Sequence, residues 1–224
     1  AEDGIRDVER SRGLGDVYKR QDDIRQHIQH HFVRTLGIQS YEELLEKIDR
    51  ELDSVIKGYV VISWYNQWCS TVIEDFILTH PRVIPTARRI DKVDFFFLDI
   101  PFDLKISFIP REFIRQYLKK RIISKEEDII NEVRDNPESL IIWFYENQGT
   151  RRFDAANRFF IVLVNLDNLE ESWKLKRNKE LLKSKINEYF RQQRSPNFED
   201  MKIIFDWQDR KYSTYATILF VVKK

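Results

Sequence analysis

Residues 93–108, Val-Asp-Phe-Phe-Phe-Leu-Asp-Ile-Pro-Phe-Asp-Leu-Lys-Ile-Ser-Phe, constrain the fold of this chain more than any other stretch. They read as two short strands whose register is dictated by burial. A turn at Leu98-Asp99 puts Phe95, Phe97, Phe102, Leu104, Ile106 and Phe108 on one apolar face, because side chains alternate along a strand. The other face then holds Asp94 directly across from Asp103, with Lys105 two positions further on. A slip of one residue would turn Asp94 and Lys105 into the core, so the register has little freedom. Pro101 has no N–H to give a ladder, which predicts a bulge or a sheet edge at that point.

The polar face has a chemical reading. Two carboxylates converging from neighbouring strands make a hard oxygen site suited to Mg²⁺, which accepts one or two protein carboxylates and completes its shell with water and a phosphate. Lys105 beside them is placed to orient an attacking water or to stabilise charge growing on phosphorus. The same pattern also suits the solvent side of an amphipathic hairpin held by a simple Lys-Asp pair. The residues alone leave both readings open.

Composition narrows the classes. With 224 residues, 42% of them hydrophobic, the chain can bury one core of ordinary size. A formal charge of +1 gives no global attraction to a polyanion, so any such binding must come from local segregation of charge. The single cysteine, Cys69, excludes an intramolecular disulfide framework and a multi-cysteine metal site, which suits a cytoplasmic protein, and it sits in an aromatic helix stripe as inert packing. No apolar run is long enough to span a membrane. Residues 1–21 resemble translated sequencing adaptor and are set aside, which implies that the native start is missing. The expectation is one α/β domain over 22–224, with an N-terminal helical part over 22–58.

The flanking text supplies the rest of that domain. A short amphipathic helix is expected over Asp22–Leu36, and its His27, His30 and His31 lack an acid or cysteine at ligand spacing. Ser40 and Glu43 form a capping box that opens a helix to about Lys57. Gly58 interrupts, and Tyr59–Leu78 carries Trp64, Trp68, Val72 and Phe76 at four-residue spacing. Glu74 and Asp75 lie off that stripe, so either can face the hairpin. After a short extended run at Arg82–Ile84 and the hairpin itself, helices are expected from Pro110, from Ser124 and over Glu138–Gln148, the last capped by Asn136-Pro137. Phe159–Leu166 is a continuous apolar run, the mark of a central strand buried on both faces. One long helix over Leu169–Gln193 and two strands, Met201–Trp207 and Ser213–Val222, close the chain. Between Arg82 and Lys125 eleven bases surround five acids, so the acidic pair sits inside a basic rim.

At these residues the chain resembles the PD-(D/E)xK nuclease superfamily. Asp94 matches the first acid of that motif, with Val93 where its loosely kept proline would be, and Asp103-Leu104-Lys105 matches the (D/E)xK half. Glu74 is similar in placement to an extra acid that many members carry. The likeness covers roughly residues 60–170. It implies a restriction endonuclease-like fold, a central mixed β-sheet flanked by helices. It implies further that Asp94, Asp103 and the carbonyl of Leu104 hold Mg²⁺, with Mn²⁺ as a substitute, while Lys105 serves the attacking water and Glu74 joins the catalytic acids. Arg88, Arg89, Lys92, Arg151 and Arg152 would then bind phosphates of double-stranded DNA. The function expected is a Mg²⁺-dependent type II restriction-like endonuclease acting as a homodimer. A structure-selective nuclease of repair or recombination is the alternative enzyme, and a non-catalytic nucleic-acid-binding module on the same fold is the alternative of another class.

Overall fold

A computed structural model describes residues 28–34, 37–38, 40–51, 54–120, 126–147, 153–192 and 198–223. Residues 1–21 and the start of the helix expected from Asp22 lie outside the described residues. The chain divides into two compact units, Ala1–Thr71 and Val72–Lys224. In the first unit a π-helical turn (Gln29–Val33), helix α1 (Tyr41–Glu51) and the beginning of α2 (Ser54–Leu78) gather Phe32, Val33, Leu44, Ile48 and Val60 into one core. The Ser40 cap forms: Ser40 Oγ accepts from the Glu43 N–H at 3.1 Å. His30 and His31 are exposed. Helix α2 runs through Gly58, where an interruption was expected. A glycine in a helix interior costs about 1 kcal/mol, which the packing of a 25-residue apolar helix outweighs.

The second unit is built on a six-stranded mixed sheet in the order β1-β2-β3-β4-β6-β5. The strands are β1 (Val83–Ile90), β2 (Val93–Phe97), β3 (Ile100–Phe108), β4 (Arg158–Asn165), β5 (Lys202–Trp207) and β6 (Arg210–Lys223). β1, β2 and β3 form an antiparallel meander, β3, β4 and β6 run parallel, and β5 returns antiparallel at the edge. All eight residues of β4 are buried, as a strand covered on both faces requires. Helices α3 (Arg111–Lys120), α4 (Glu126–Asp135) and α5 (Glu138–Glu146) cover one face, packing Phe113, Ile130 and Ile141 with Phe160, Val162 and Val164. The end of α2 and helix α6 (Lys179–Gln192) cover the other, where Ile73, Ile77, Leu182 and Phe190 meet Phe95, Phe97, Phe102 and Phe159. The fold is therefore α/β, a mixed sheet flanked by helices.

Two local expectations need correction, and a third is decided between its alternatives. Leu169–Gln193 is not one helix: a 3-10 stretch, Leu169–Arg177, precedes α6. Asn178 makes the break, because its Oδ1 accepts from the Leu181 N–H at 3.2 Å and so starts a new helix. At α5 it is Pro137 that occupies the cap position, with no side-chain bond, and its carbonyl accepts from Leu140 and Ile141. Of the two alternatives at Pro101 the edge applies and not the bulge, for Pro101 pairs in register with Phe96 and has no β4 partner on its other side. The N–H that proline lacks would point toward β4 ahead of the first parallel pair, Asp103 with Arg158, so no ladder bond is lost. The register shift lies instead in β1, between Pro85 and Ile90.

Candidate active site

The turn between β2 and β3 falls at Leu98-Asp99, with φ of 54° and 63°. Two left-handed residues in a row make the type I′ geometry that matches strand twist. The pairs Phe97–Ile100, Phe96–Pro101 and Phe95–Phe102 follow, and there the β2–β3 ladder ends. The next pair would be Asp94 with Asp103, and two carboxylates directly opposite each other repel. Asp94 Oδ2 instead accepts from the Leu104 N–H at 2.7 Å, taking the place a backbone carbonyl would fill. A charge-assisted bond of this kind is worth about 1.5–3 kcal/mol. Thr86 Oγ1, 3.3 Å from the Asp94 carbonyl, ties the same point to β1.

Asp103 is held from several sides. Its N–H donates to the Asn157 carbonyl at 2.9 Å, its Oδ1 accepts from Lys105 Nζ at 2.6 Å, and its Oδ2 lies 3.9 Å from Arg158 Nε. Only 8% of the residue is exposed. Burial raises its carboxyl above the ordinary value, opposed by the hydrogen bond and charge of Lys105, and the neighbouring Asp94 charge raises it further. Glu74, half-buried on α2, is raised by burial first and then by Asp94. The structure thus brings Asp94, Asp103, Lys105 and Glu74 into one electrostatic group. Asp75, the other acid expected to face the hairpin, is exposed.

The cations expected around this group are less uniform. Arg88 is exposed on the irregular part of β1. Lys92, in the β1–β2 turn with φ of 57°, points its Nζ to within 3.7 Å of Asp154 Oδ2. The Arg89 side chain and all of Arg151 and Arg152 lie outside the described residues. Further along the basic rim, Arg111 pairs with Glu170 and Arg115 with Glu112, so neighbours neutralise part of it.

Three residues that the sequence reading passed over support the site from below. Arg158, 5% exposed, donates from Nη2 to Asp154 Oδ1 at 3.0 Å, and its guanidinium lies 4.8 Å from the Tyr145 ring. Burial pushes the Tyr145 phenol well above its ordinary range, and its O–H donates to the Ala156 carbonyl at 2.7 Å. Asn157 is the joint: Nδ2 donates to the Pro101 carbonyl, while Oδ1 accepts from Tyr215 N–H and Thr214 Oγ1. One side chain thereby ties β3 to β6 at the end of the sheet where Asp103 sits. Arg158 lies at the end of an arginine-bearing loop in the sequence, and only the parallel pairing of β3 with β4 sets it beside Asp103.

Among the described residues, no group of three or more His, Cys, Asp or Glu side chains could hold a metal ion. A magnesium site completed by substrate needs less, one or two carboxylates with water and phosphate filling the remaining positions. Asp94 and Asp103 supply that number, and the Leu104 carbonyl leaves its strand on the same side as the N–H bonded to Asp94. The donor set is entirely hard oxygen, and the charge of Asp94 works against ionisation of both Glu74 and Asp103, which a cation would relieve, so the chemistry fits Mg²⁺. Comparison of the chain with protein-family models, curated proteins and solved structures finds no match. No helix among the described residues is long and apolar enough to cross a membrane.

Proposed function

We propose that this chain is a Mg²⁺-dependent DNA endonuclease of the restriction endonuclease-like fold. One observation carries the reading: Asp94 stands free of the hairpin ladder, beside an Asp103-Leu104-Lys105 strand, with Glu74 in electrostatic reach. Burial raises the carboxyls of Glu74 and Asp103 above their ordinary values, and the charge of Asp94 raises both further; buried or half-buried acids beside a like charge are typical of sites built for charge chemistry. The element order adds support, since a helix, three antiparallel strands, helices and a strand parallel to the third follow one another as the superfamily resemblance implies.

Asp94, Asp103 and the Leu104 carbonyl would hold the ion. When bound, Mg²⁺ supplies positive charge to the phosphate and acidity to water. Lys105, anchored by Asp103, orients the attacking water in line with the scissile bond and offsets negative charge on the phosphoryl oxygens. Asp103 sets where that ammonium can reach. Arg158, 3.9 Å from the other carboxylate oxygen, adds positive charge beside Asp103. Arg88 and Lys92 serve as phosphate contacts that position the duplex without reading its bases. Cutting both strands of a symmetric site calls for a homodimer, because each chain carries one such group.

Plasmid DNA incubated with the protein and Mg²⁺ tests this. Discrete fragments, lost in Asp103→Ala and Lys105→Ala, are the expected result; cleavage that persists in both variants removes the assignment. Preference for branched or nicked DNA would favour a repair or recombination role. A second reading has its own observation: the Asp94–Leu104 and Lys105–Asp103 bonds would hold a purely structural hairpin equally well, in a non-catalytic DNA-binding module. DNA retention without any cleavage in Mg²⁺ or Mn²⁺ would favour it.

A further inference from the structure

A second candidate site lies at the other end of β3, about 17 Å from Asp103 at the rise of an extended strand. The chain leaves β3 for helix α3, which packs on one face of the sheet, and leaves β4 for the Leu169–Arg177 stretch, which crosses over the strand ends, Leu169 packing on the α3 face and Leu175 on the opposite face with α6. β3 and β4 are adjacent and parallel. Where neighbouring parallel strands send their connections to opposite faces, a crevice opens beyond their carboxyl ends, and open α/β sheets bind ligands in it. A pocket of about 320 Å³ occupies this place, lined from the β3 side by Phe108, Arg111 and Arg115 and from the β4 side by Leu169, Glu170 and Trp173.

Its lining is unusual in two respects. Phe108 and Trp173 are 47% and 45% exposed, although large aromatic rings are mostly covered, and both stand at the same opening. Between the two rims Arg111 and Glu170 form an ion pair, each side chain about two-thirds exposed. Exposed pairs of this kind are worth at most about 1 kcal/mol, so a ligand can exchange with either partner at small cost. The other charges at the rim cancel, Arg115 against Glu112 and Lys174 against Glu171. A neutral opening with flat rings, a guanidinium donor and a carboxylate acceptor does not suit a bare phosphate. It suits a flat heterocycle whose edge carries both acceptors and donors.

We propose that this pocket binds a nucleobase, stacked on Trp173 or Phe108 and hydrogen-bonded at its edge by Arg111 and Glu170. The site is separate from the carboxylate group at Asp103 and does not depend on its chemistry. The base can come from a free nucleotide or from an unpaired position in a strand, and the experiment separates these sources. Calorimetric titration of the full chain with the four nucleoside monophosphates, and with a single-stranded oligonucleotide, is expected to give saturable binding to at least one of them. Trp173→Leu keeps apolar cover without a flat π-face and should weaken binding about tenfold, the size of one lost base stack, whereas Trp173→Phe should retain most of it. Asp103→Ala should bind as the parent does. Binding of the oligonucleotide alone assigns the strand as source; binding of a monophosphate assigns the free nucleotide. No saturation by any probe, equal binding in Trp173→Leu, or loss of binding in Asp103→Ala would overturn the proposal. Should Trp173→Leu not fold, Glu170→Lys replaces it, with the same tenfold loss expected.

Discussion

The two hairpins of the second unit share a turn and part company three residues later. Leu98-Asp99 and Gln208-Asp209 are both two-residue turns with left-handed residues, φ of 54° and 63° in one and 46° and 60° in the other. From Gln208-Asp209 the ladder runs through six pairs, including Ile204 with Ser213. From Leu98-Asp99 it stops after three, one step before the corresponding pair, Asp94 with Asp103. Turn chemistry is common to both, so the difference comes from the pair itself. A hydroxyl opposite an aliphatic chain continues a ladder, whereas two opposed carboxylates end it and free Asp94 to bond the Leu104 N–H. The candidate site exists because one hairpin fails to close.

Making the first hairpin resemble the second is the strongest way to break that comparison. The double variant Asp94→Thr, Asp103→Thr should extend the β2–β3 ladder to the pair Val93–Leu104, seen as protection of the Val93 amide in hydrogen exchange. It should also reduce Mg²⁺-dependent cleavage about a thousandfold or more, the scale of losing a whole charge-stabilising group. Asn157→Ala attacks the platform beneath the first hairpin. Its side chain bonds the Pro101 carbonyl, Thr214 and Tyr215, and removing it should cost about 2–3 kcal/mol in urea unfolding, with DNA retention by the folded fraction unchanged. Asp94→Ala alone should leave global stability within about 1 kcal/mol, because lost repulsion offsets the lost bond, while the Leu104 amide exchanges about tenfold faster.

Two smaller effects sharpen the contrast. Asp103 has a folded-state pKa above its ordinary value of 3.8, so the folded protein binds the proton more tightly than the unfolded chain. Stability contributed by this group therefore falls as pH rises through that window and is recovered as pH drops below it. Asp103→Asn removes the ionisation, and in the absence of Mg²⁺ it should raise the melting temperature by about 2 °C at pH 7, with the gain shrinking toward pH 4. Ile204→Asp places one acid at the matching point of the second hairpin. With Ser213 opposite and no second carboxylate, its ladder should persist, read from the amide exchange of Ile203 and Thr214, and stability should change by no more than about 0.5 kcal/mol.

Much of the fold was legible because it follows from local pattern. The apolar run at 159–166 announces a doubly buried strand, and alternation in 93–108 announces the hairpin, its turn and its facing. Ser40 and Glu43 announce a cap that forms. Asn178 shows the limit: inside an apparently continuous helical pattern, its side chain caps a new helix, and no periodicity distinguishes that from a solvated asparagine. Pro101 shows another, since whether its missing N–H matters depends on which neighbour lies on that side of the strand.

The candidate site divides in the same way. Asp94, Asp103 and Lys105 could be brought onto one patch from sequence alone, because a two-residue period and a two-residue turn determine which side chains share a face. Tertiary structure decided the rest: that the ladder stops at Phe95, that Asp94 bonds Leu104 rather than facing Asp103 across a closed pair, and that Glu74 lies within reach of Asp94's charge. It also decided that Asn157, more than fifty residues away in the chain, anchors the Asp103 backbone and that the charge of Arg158 lies beside its carboxylate. The physical reason is range. Periodicity and turn geometry act over a few residues and are written in consecutive positions, whereas burial, charge and parallel pairing depend on segments that only the folded chain brings together.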